Sequence, residues 1–115
     1  EAAAFQTEIG NIGLTICYDV FFPEVFRLSR LKGAQLIVCI SASPAVRRGY
    51  FEILTAARAL ENTAFLAYVN LTGIEDGLQF WGVSRLICPT GEVATKAKYD
   101  FEDFVLCDPA RVPAS

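Results

Sequence analysis

The feature that most constrains the fold is LIVCIS, Leu36 to Ser41, an unbroken apolar run of strand length rich in β-branched residues. Such a run predicts a strand buried on both faces, as in parallel sheets covered by helices. The segments on either side carry helical patterns. Upstream, Glu8 to Asn11 reads as a turn and Ile12 to Cys17 as a brief strand, with Phe5 and Thr7 placed to begin another. Pro23 suits the first position of a helix, where its missing N–H is no loss. Glu24 favours the helix dipole from the first turn, and Gly33 closes the helix as a C-terminal cap. Its apolar side is Val25, Phe26, Leu28 and Leu31.

After Leu36 to Ser41, a polar loop runs from Ala42 to Gly49, and Tyr50 to Asn62 forms a second helix. The inner stripe of this helix, Phe51, Leu54, Ala57 or Arg58, and Glu61, ends in charged and polar groups. Phe65 to Asn70 is the next strand, Gly73 to Gly77 a loop, and Val83 to Cys88 another strand. Pro89 to Glu92 then turns the chain into Val93 to Lys98, completing a β-hairpin. Phe104 to Cys107 reads as an edge strand. Two βα units followed by strands predict an α/β fold: a mixed sheet, parallel first and antiparallel later, with helices on at least one face. Residues 1–115 read as a single unit, with 1–4 a leader or linker and 109–115 a tail.

Composition narrows the function. The chain is 53% hydrophobic, yet its apolar runs fall well short of the roughly 20 residues that span a bilayer. A net charge of -3 with scattered basic residues gives no footprint for nucleic acid or an anionic membrane surface. The four cysteines, Cys17, Cys39, Cys88 and Cys107, lie far apart among apolar neighbours, with no CxxC and no secretory signal. They predict buried free thiols, a reducing, cytoplasmic compartment and no metal or other cofactor. Histidine is absent, so an activated nucleophile must rely on a carboxylate, a lysine or a helix dipole. Methionine is also absent and the chain begins at Glu1, which predicts a piece of something longer.

The stretch LTICYDVFFPE, Leu14 to Glu24, places Cys17 at the C-terminal end of a strand, where α/β sheets generally bind ligands. Backbone N–H groups in the following turn could face an oxyanion, and the next helix N-terminus favours a thiolate. The position alone fits either a nucleophile or a small core residue.

Three stretches decide between them. GNIGLTICYDVFFPEVFRLSRLKGAQLIVCISA, ARALENTAFLAYVN and FWGVSRLICPTGEV occur in this order and together cover most of the chain. They resemble the nucleophile region, the Arg-Ala-x-Glu-Asn helix end and the Gly-x-Ser strand with its Pro-x-Gly turn of the nitrilase superfamily, the carbon-nitrogen hydrolases. The resemblance implies a four-layer αββα sandwich and a Glu-Lys-Cys constellation in which Cys17 is the nucleophile and the backbone N–H of Tyr18 helps to hold the oxyanion. The glutamate base, the lysine and a further active-site glutamate belong to motifs that precede the cysteine in that family, and no position here matches them. The chain thus resembles the C-terminal half of such an enzyme.

The implied substrate is a small amide or nitrile, hydrolysed through a thioester. The expected partners are a complementing N-terminal half or further copies of the chain. The other reading is a non-catalytic folding fragment or self-associating module. Ser41, Ala42 and Ser43, with Asn70, Phe80 and Trp81 on loops after strands, are candidates to line the substrate mouth. Asp19 and Arg27 are expected to form an ion pair beside Cys17. Glu24 is expected to start a helix or to hydrogen-bond in the interior, and Arg58, Glu61 and Asn62 to form a structural polar cluster.

Overall fold

A computed structural model describes residues 3–8 and 10–97. Its main sheet has six strands in the order β1-β2-β3-β4-β7-β8: β1 (Ala3–Thr7), β2 (Gly10–Ile16), β3 (Leu36–Ser41), β4 (Phe65–Asn70), β7 (Arg85–Ile87) and β8 (Val93–Lys96). β2, β3 and β4 run parallel, and the remaining pairs are antiparallel. Helices α1 (Pro23–Leu31) and α2 (Arg48–Asn62) connect the parallel strands. Two successive right-handed crossovers in one direction put both helices on the same face. The α/β class, the mixed sheet and the one-sided helices agree with the sequence expectation, and the described residues make one helical layer on the main sheet, with a separate two-stranded ribbon beside it.

Local chemistry sets the helix ends. Pro23 opens α1, and Gly33, at φ 101°, ends it. Its N–H donates to the Arg30 carbonyl while the Ala34 N–H reaches back to Ser29, closing both orphan carbonyls in a Schellman turn. A side chain at Gly33 would lie 2.9 Å from Asn11 Nδ2, a second reason for glycine there.

Period-two alternation divides the sheet into two unlike faces. Ile37, Cys39, Leu66 and Tyr68 point into a core shared with Phe26, Phe51 and Ala59 of the helices. The opposite face is a register-matched apolar grid: Ile12, Leu36 and Phe65 in one row, Leu14, Val38 and Ala67 in the next, Ile16, Ile40 and Val69 in the third. Ile16 is 58% exposed, Ile40 43% and Val69 48%. The expectation that Leu36 to Ser41 is buried on both faces is therefore corrected. Helices cover one face, and among the described residues nothing covers the other.

Further corrections concern boundaries. The expected loop from Gly73 to Gly77 is the tip of a two-stranded ribbon, β5 (Thr72–Glu75) paired with β6 (Leu78–Trp81). Asp76 and Gly77, both at positive φ, supply the Asp-Gly hairpin turn that joins them. Phe80 and Trp81 are consequently strand residues. The expected strand from Val83 shortens to Arg85–Ile87 because Val83 itself takes φ 47°. The Phe104 to Cys107 strand and the tail lie outside the described residues. Among those described, no helix is long and apolar enough to cross a membrane.

Candidate active site

β2 ends at Ile16 and the chain folds at once into a 3₁₀ turn, Cys17–Phe21. Cys17 is half-buried and takes φ 45°, a left-handed conformation that costs a residue with a Cβ on the order of 1–2 kcal/mol. Three contacts hold this turn. The Asp19 carboxylate accepts the Ile16 N–H at 2.8 Å, the Asp19 carbonyl accepts the Phe22 N–H at 2.9 Å, and the buried Arg58 guanidinium of α2 donates to the Val20 carbonyl at 2.9 Å. Tyr18 lies in the first turn of this short helix, where backbone N–H groups have no acceptor within the helix itself.

The neighbouring strand ends complete the surroundings of the thiol. Ser41, the last residue of β3, donates its hydroxyl to Cys17 Sγ at 3.5 Å and accepts the Tyr68 hydroxyl at 3.0 Å. Tyr68 is buried, and burial outweighs its hydroxyl contacts to push its pKa up. Cys39 lies beneath. Desolvation is the largest influence on its thiol and pushes the pKa up to about 11, against hydrogen bonds from Thr15 and the Cys17 backbone that favour the thiolate. Cys39 is therefore a protonated thiol at neutral pH that contacts the backbone carrying Cys17.

The expected site residues divide into three groups. Cys17, Tyr18, Ser41 and the exposed Ala42 meet at the C-terminal mouth of the parallel strands. Ser43, Asn70 and Trp81 are buried anchors: Asn70 Oδ1 accepts the Ser43 N–H at 2.8 Å, Asn70 Nδ2 donates to the Gly82 carbonyl at 3.2 Å, and the Trp81 indole donates to Ser43 Oγ at 2.9 Å. Phe80 bridges to Pro44 by backbone pairing, so the β5–β6 ribbon is fastened to the loop after β3.

The expected Asp19–Arg27 ion pair does not form. Asp19 is taken up by the turn, and Arg27 reaches across to the Glu61 carbonyl at 2.8 Å, beside Arg30 on the Asn62 carbonyl at 3.0 Å. Both cations thereby satisfy the open C-terminal end of α2. Arg58, Glu61 and Asn62 do cluster: Arg58 pairs with Glu61 at 3.2 Å and Asn62 Nδ2 donates to the Arg58 carbonyl at 2.9 Å. Glu24 is exposed in the first turn of α1, so it starts the helix and does not bond in the interior.

Sequence reading missed Tyr68 and Cys39. Tyr68 was read simply as a strand residue and Cys39 as a buried free thiol with no tie to the site, although each lies two positions before a strand-end polar residue, Asn70 and Ser41, and therefore on the same face as it.

The sequence matches the carbon-nitrogen hydrolase family over residues 2–108. The chain belongs to that family. Among curated carbon-nitrogen hydrolase relatives, it is 39% identical over 89 residues to a probable nitrilase of Schizosaccharomyces pombe, covering 77% of this chain and 33% of that protein. It is 34% identical over 94 residues to a 2-oxoglutaramate amidase of Paenarthrobacter nicotinovorans, covering 82% and 31%. Among solved structures, an amidase from a Nesterenkonia species superposes with TM-score 0.78 at 35% identity over 84% of this chain and 36% of that one. Saccharomyces cerevisiae Nit3, a member of branch 10 of the nitrilase superfamily, gives 0.82 at 27% identity over 89% and 38%. This carbon-nitrogen hydrolase chain thus spans about a third of the length of these relatives.

Proposed function

We propose that this chain carries the nucleophile of an amidase-type carbon-nitrogen hydrolase and corresponds to the C-terminal, cysteine-bearing portion of such an enzyme. The observation that carries the reading is Cys17: a half-buried thiol held at left-handed φ at the mouth of a parallel strand, with a hydroxyl 3.5 Å from its sulfur. Strain of this kind persists where the surroundings over-determine it, and it concentrates at functional positions. The Cys17 sulfur forms a bond to the amide carbonyl carbon, and the C–N bond then breaks. The nitrogen leaves as ammonia or an amine after gaining a proton, and water hydrolyses the thioester to a carboxylate and the free thiol. The Tyr18 N–H would donate to the oxyanion during both additions.

The glutamate and lysine that serve this chemistry in the family have no counterpart among the 115 residues, so this polypeptide alone turns over amides slowly or not at all. The open apolar grid fits a second sheet, as in a four-layer sandwich, supplied by the complementing half. The same grid favours the second reading, a self-associating folding module. Free thiols suit a reducing, cytoplasmic setting.

Support comes from a relative: in a Nesterenkonia amidase carrying a glutamate substitution, fluoroacetamide leaves an acetamide moiety on the active-site cysteine. Peptide-resolved mass spectrometry of the native chain treated with iodoacetamide tests the reading. Cys17 should label at least about tenfold faster than Cys39 and Cys88, in line with the exposure dependence of thiol reactivity. Labelling of Cys17 only after denaturation overturns the nucleophile assignment, and robust amide turnover by the pure chain overturns the missing-base assignment.

A further inference from the structure

The hydroxyl that faces Cys17 stands at one end of a longer chain of polar atoms. Trp81 Nε1 donates to Ser43 Oγ at 2.9 Å, Ser43 hydrogen-bonds the Tyr68 hydroxyl, Tyr68 donates to Ser41 Oγ at 3.0 Å, and Ser41 donates to Cys17 Sγ at 3.5 Å. Trp81, Ser43 and Tyr68 are fully buried, so their polar atoms must satisfy one another. Each hydroxyl in the chain has a single proton to give.

The sense of the chain is therefore set at its far end. An indole is a donor and not an acceptor, so the bond between Trp81 and Ser43 runs one way only. Ser43 is pinned there: its N–H donates to Asn70 Oδ1 at 2.8 Å and its carbonyl accepts the Trp81 N–H at 3.3 Å, which leaves the hydroxyl free only to rotate. With the Ser43 oxygen supplied by the indole, the Ser43 proton goes to Tyr68, the Tyr68 proton to Ser41 and the Ser41 proton to the sulfur. Without the indole N–H, the buried Ser43 oxygen would take the Tyr68 proton, and Ser41 would turn its own proton back to the Tyr68 oxygen. The sulfur would lose its donor. Trp81 also stacks on Tyr68 at 5.4 Å between centroids, and it does both from the end of β6, in the ribbon outside the sheet that carries Cys17.

We propose that Trp81 is a positioning residue for the Cys17 thiol: its indole N–H, acting through Ser43 and Tyr68, fixes the sense of the hydroxyl chain so that Ser41 presents a proton to the sulfur. The catalytic meaning of this relay rests on Cys17 being the nucleophile.

The chain has one tryptophan, so biosynthetic replacement of tryptophan by benzothienylalanine, which keeps the bicyclic ring and has sulfur where the N–H stood, alters Trp81 alone. Iodoacetamide labelling of the native 115-residue chain, mapped by mass spectrometry, should slow at Cys17 by about twofold at neutral pH, toward the rate of Ser41→Ala. Ser43→Ala supplies a readout that a loss of packing would not move. With no oxygen at position 43 to compete for it, the Tyr68 proton stays on Ser41, so Ser43→Ala should label at the native rate with tryptophan and with the analogue alike. The combination of Ser43→Ala with the analogue leaves neither partner unsatisfied, so it carries the comparison even where Ser43→Ala alone fails to fold. A rate unmoved by the analogue, or a slowing that persists in Ser43→Ala, overturns the relay and leaves the nucleophile standing. A Cys17 that resists labelling in every native form overturns both.

Discussion

The Ser41 hydroxyl donates to the Cys17 sulfur across 3.5 Å, joining the ends of two adjacent parallel strands through side chains where the backbone ladder has stopped. Because the same oxygen accepts from the buried Tyr68 hydroxyl, its own proton is directed toward the sulfur. Ser41→Ala removes a donor to the developing thiolate. Alkylation of Cys17 at neutral pH should slow about threefold, a fraction of what a hydrogen bond to a charged group contributes at most. Stopped-flow or quenched labelling checks this, and Ser41→Thr, which keeps the hydroxyl, should recover most of the rate.

Tyr68→Phe tests the next link. It leaves the stacking on Trp81 and Phe51 in place and removes only the hydroxyl that directs Ser41. Urea unfolding should show a loss of about 1 kcal/mol. Labelling of Cys17 should slow less than in Ser41→Ala, because Ser41 remains.

Cys39 gives a pH dependence. Its thiol ionises near 9.0 when solvated and near 11 when folded, so between these values the unfolded chain holds fewer protons than the folded one. Stability is therefore complete below about pH 9 and falls as pH rises toward 11, by about 3 kcal/mol if the whole shift is expressed. Tyr68, also shifted upward, acts in the same direction at higher pH. Urea midpoints measured from pH 7 to 10.5 should decline, and Cys39→Val should flatten the decline. A midpoint constant with pH contradicts the buried, protonated thiol.

Arg58 ties α2 to the turn that carries Cys17 through the Val20 carbonyl. Arg58→Met keeps the aliphatic stem and abandons that carbonyl in the interior, at a cost of about 2 kcal/mol. The turn loses a clamp as well, so Cys17 should label differently from wild type under native conditions, a readout that a uniform loss of stability would leave untouched.

The apolar grid predicts the solution behaviour of the isolated chain. Ile16, Ile40 and Val69 sit in one row of the helix-free face, where partly exposed aliphatic groups favour association. Sedimentation velocity should find concentration-dependent oligomers, and Ile40→Lys should shift them toward monomer with little change in the urea midpoint.

Much of this was legible from residue pattern alone. Pro23 and Gly33 bracket α1 through fixed φ and positive φ, effects local to one residue, and so the helix ends are written in the chain itself. The alternation in β3 was hidden because both of its faces are apolar, so the sequence could not tell a covered face from an open one. The β5–β6 ribbon escaped because Thr72-Gly-Ile-Glu75 looks like a loop, although Asp76-Gly77 carried the turn signal. In the site, the strand-turn-helix setting left Cys17 open between nucleophile and core residue, and the resemblance of three stretches to the nitrilase superfamily pointed to the former. Arg27 was assigned to the wrong partner because its contact, the Glu61 carbonyl, is 34 positions away and belongs to the backbone, which side-chain pairing rules do not consider. Tyr68 and Arg85 are cross-strand neighbours, a relation that exists only once the register is known.

The left-handed backbone at Cys17 has a consequence for inheritance. Glycine or asparagine would occupy φ 45° with less strain than cysteine does, so selection for folding alone would erode the thiol at this position. A lineage released from the chemistry proposed for Cys17 should lose the sulfur here before it loses the buried Cys39, whose packing the core still needs.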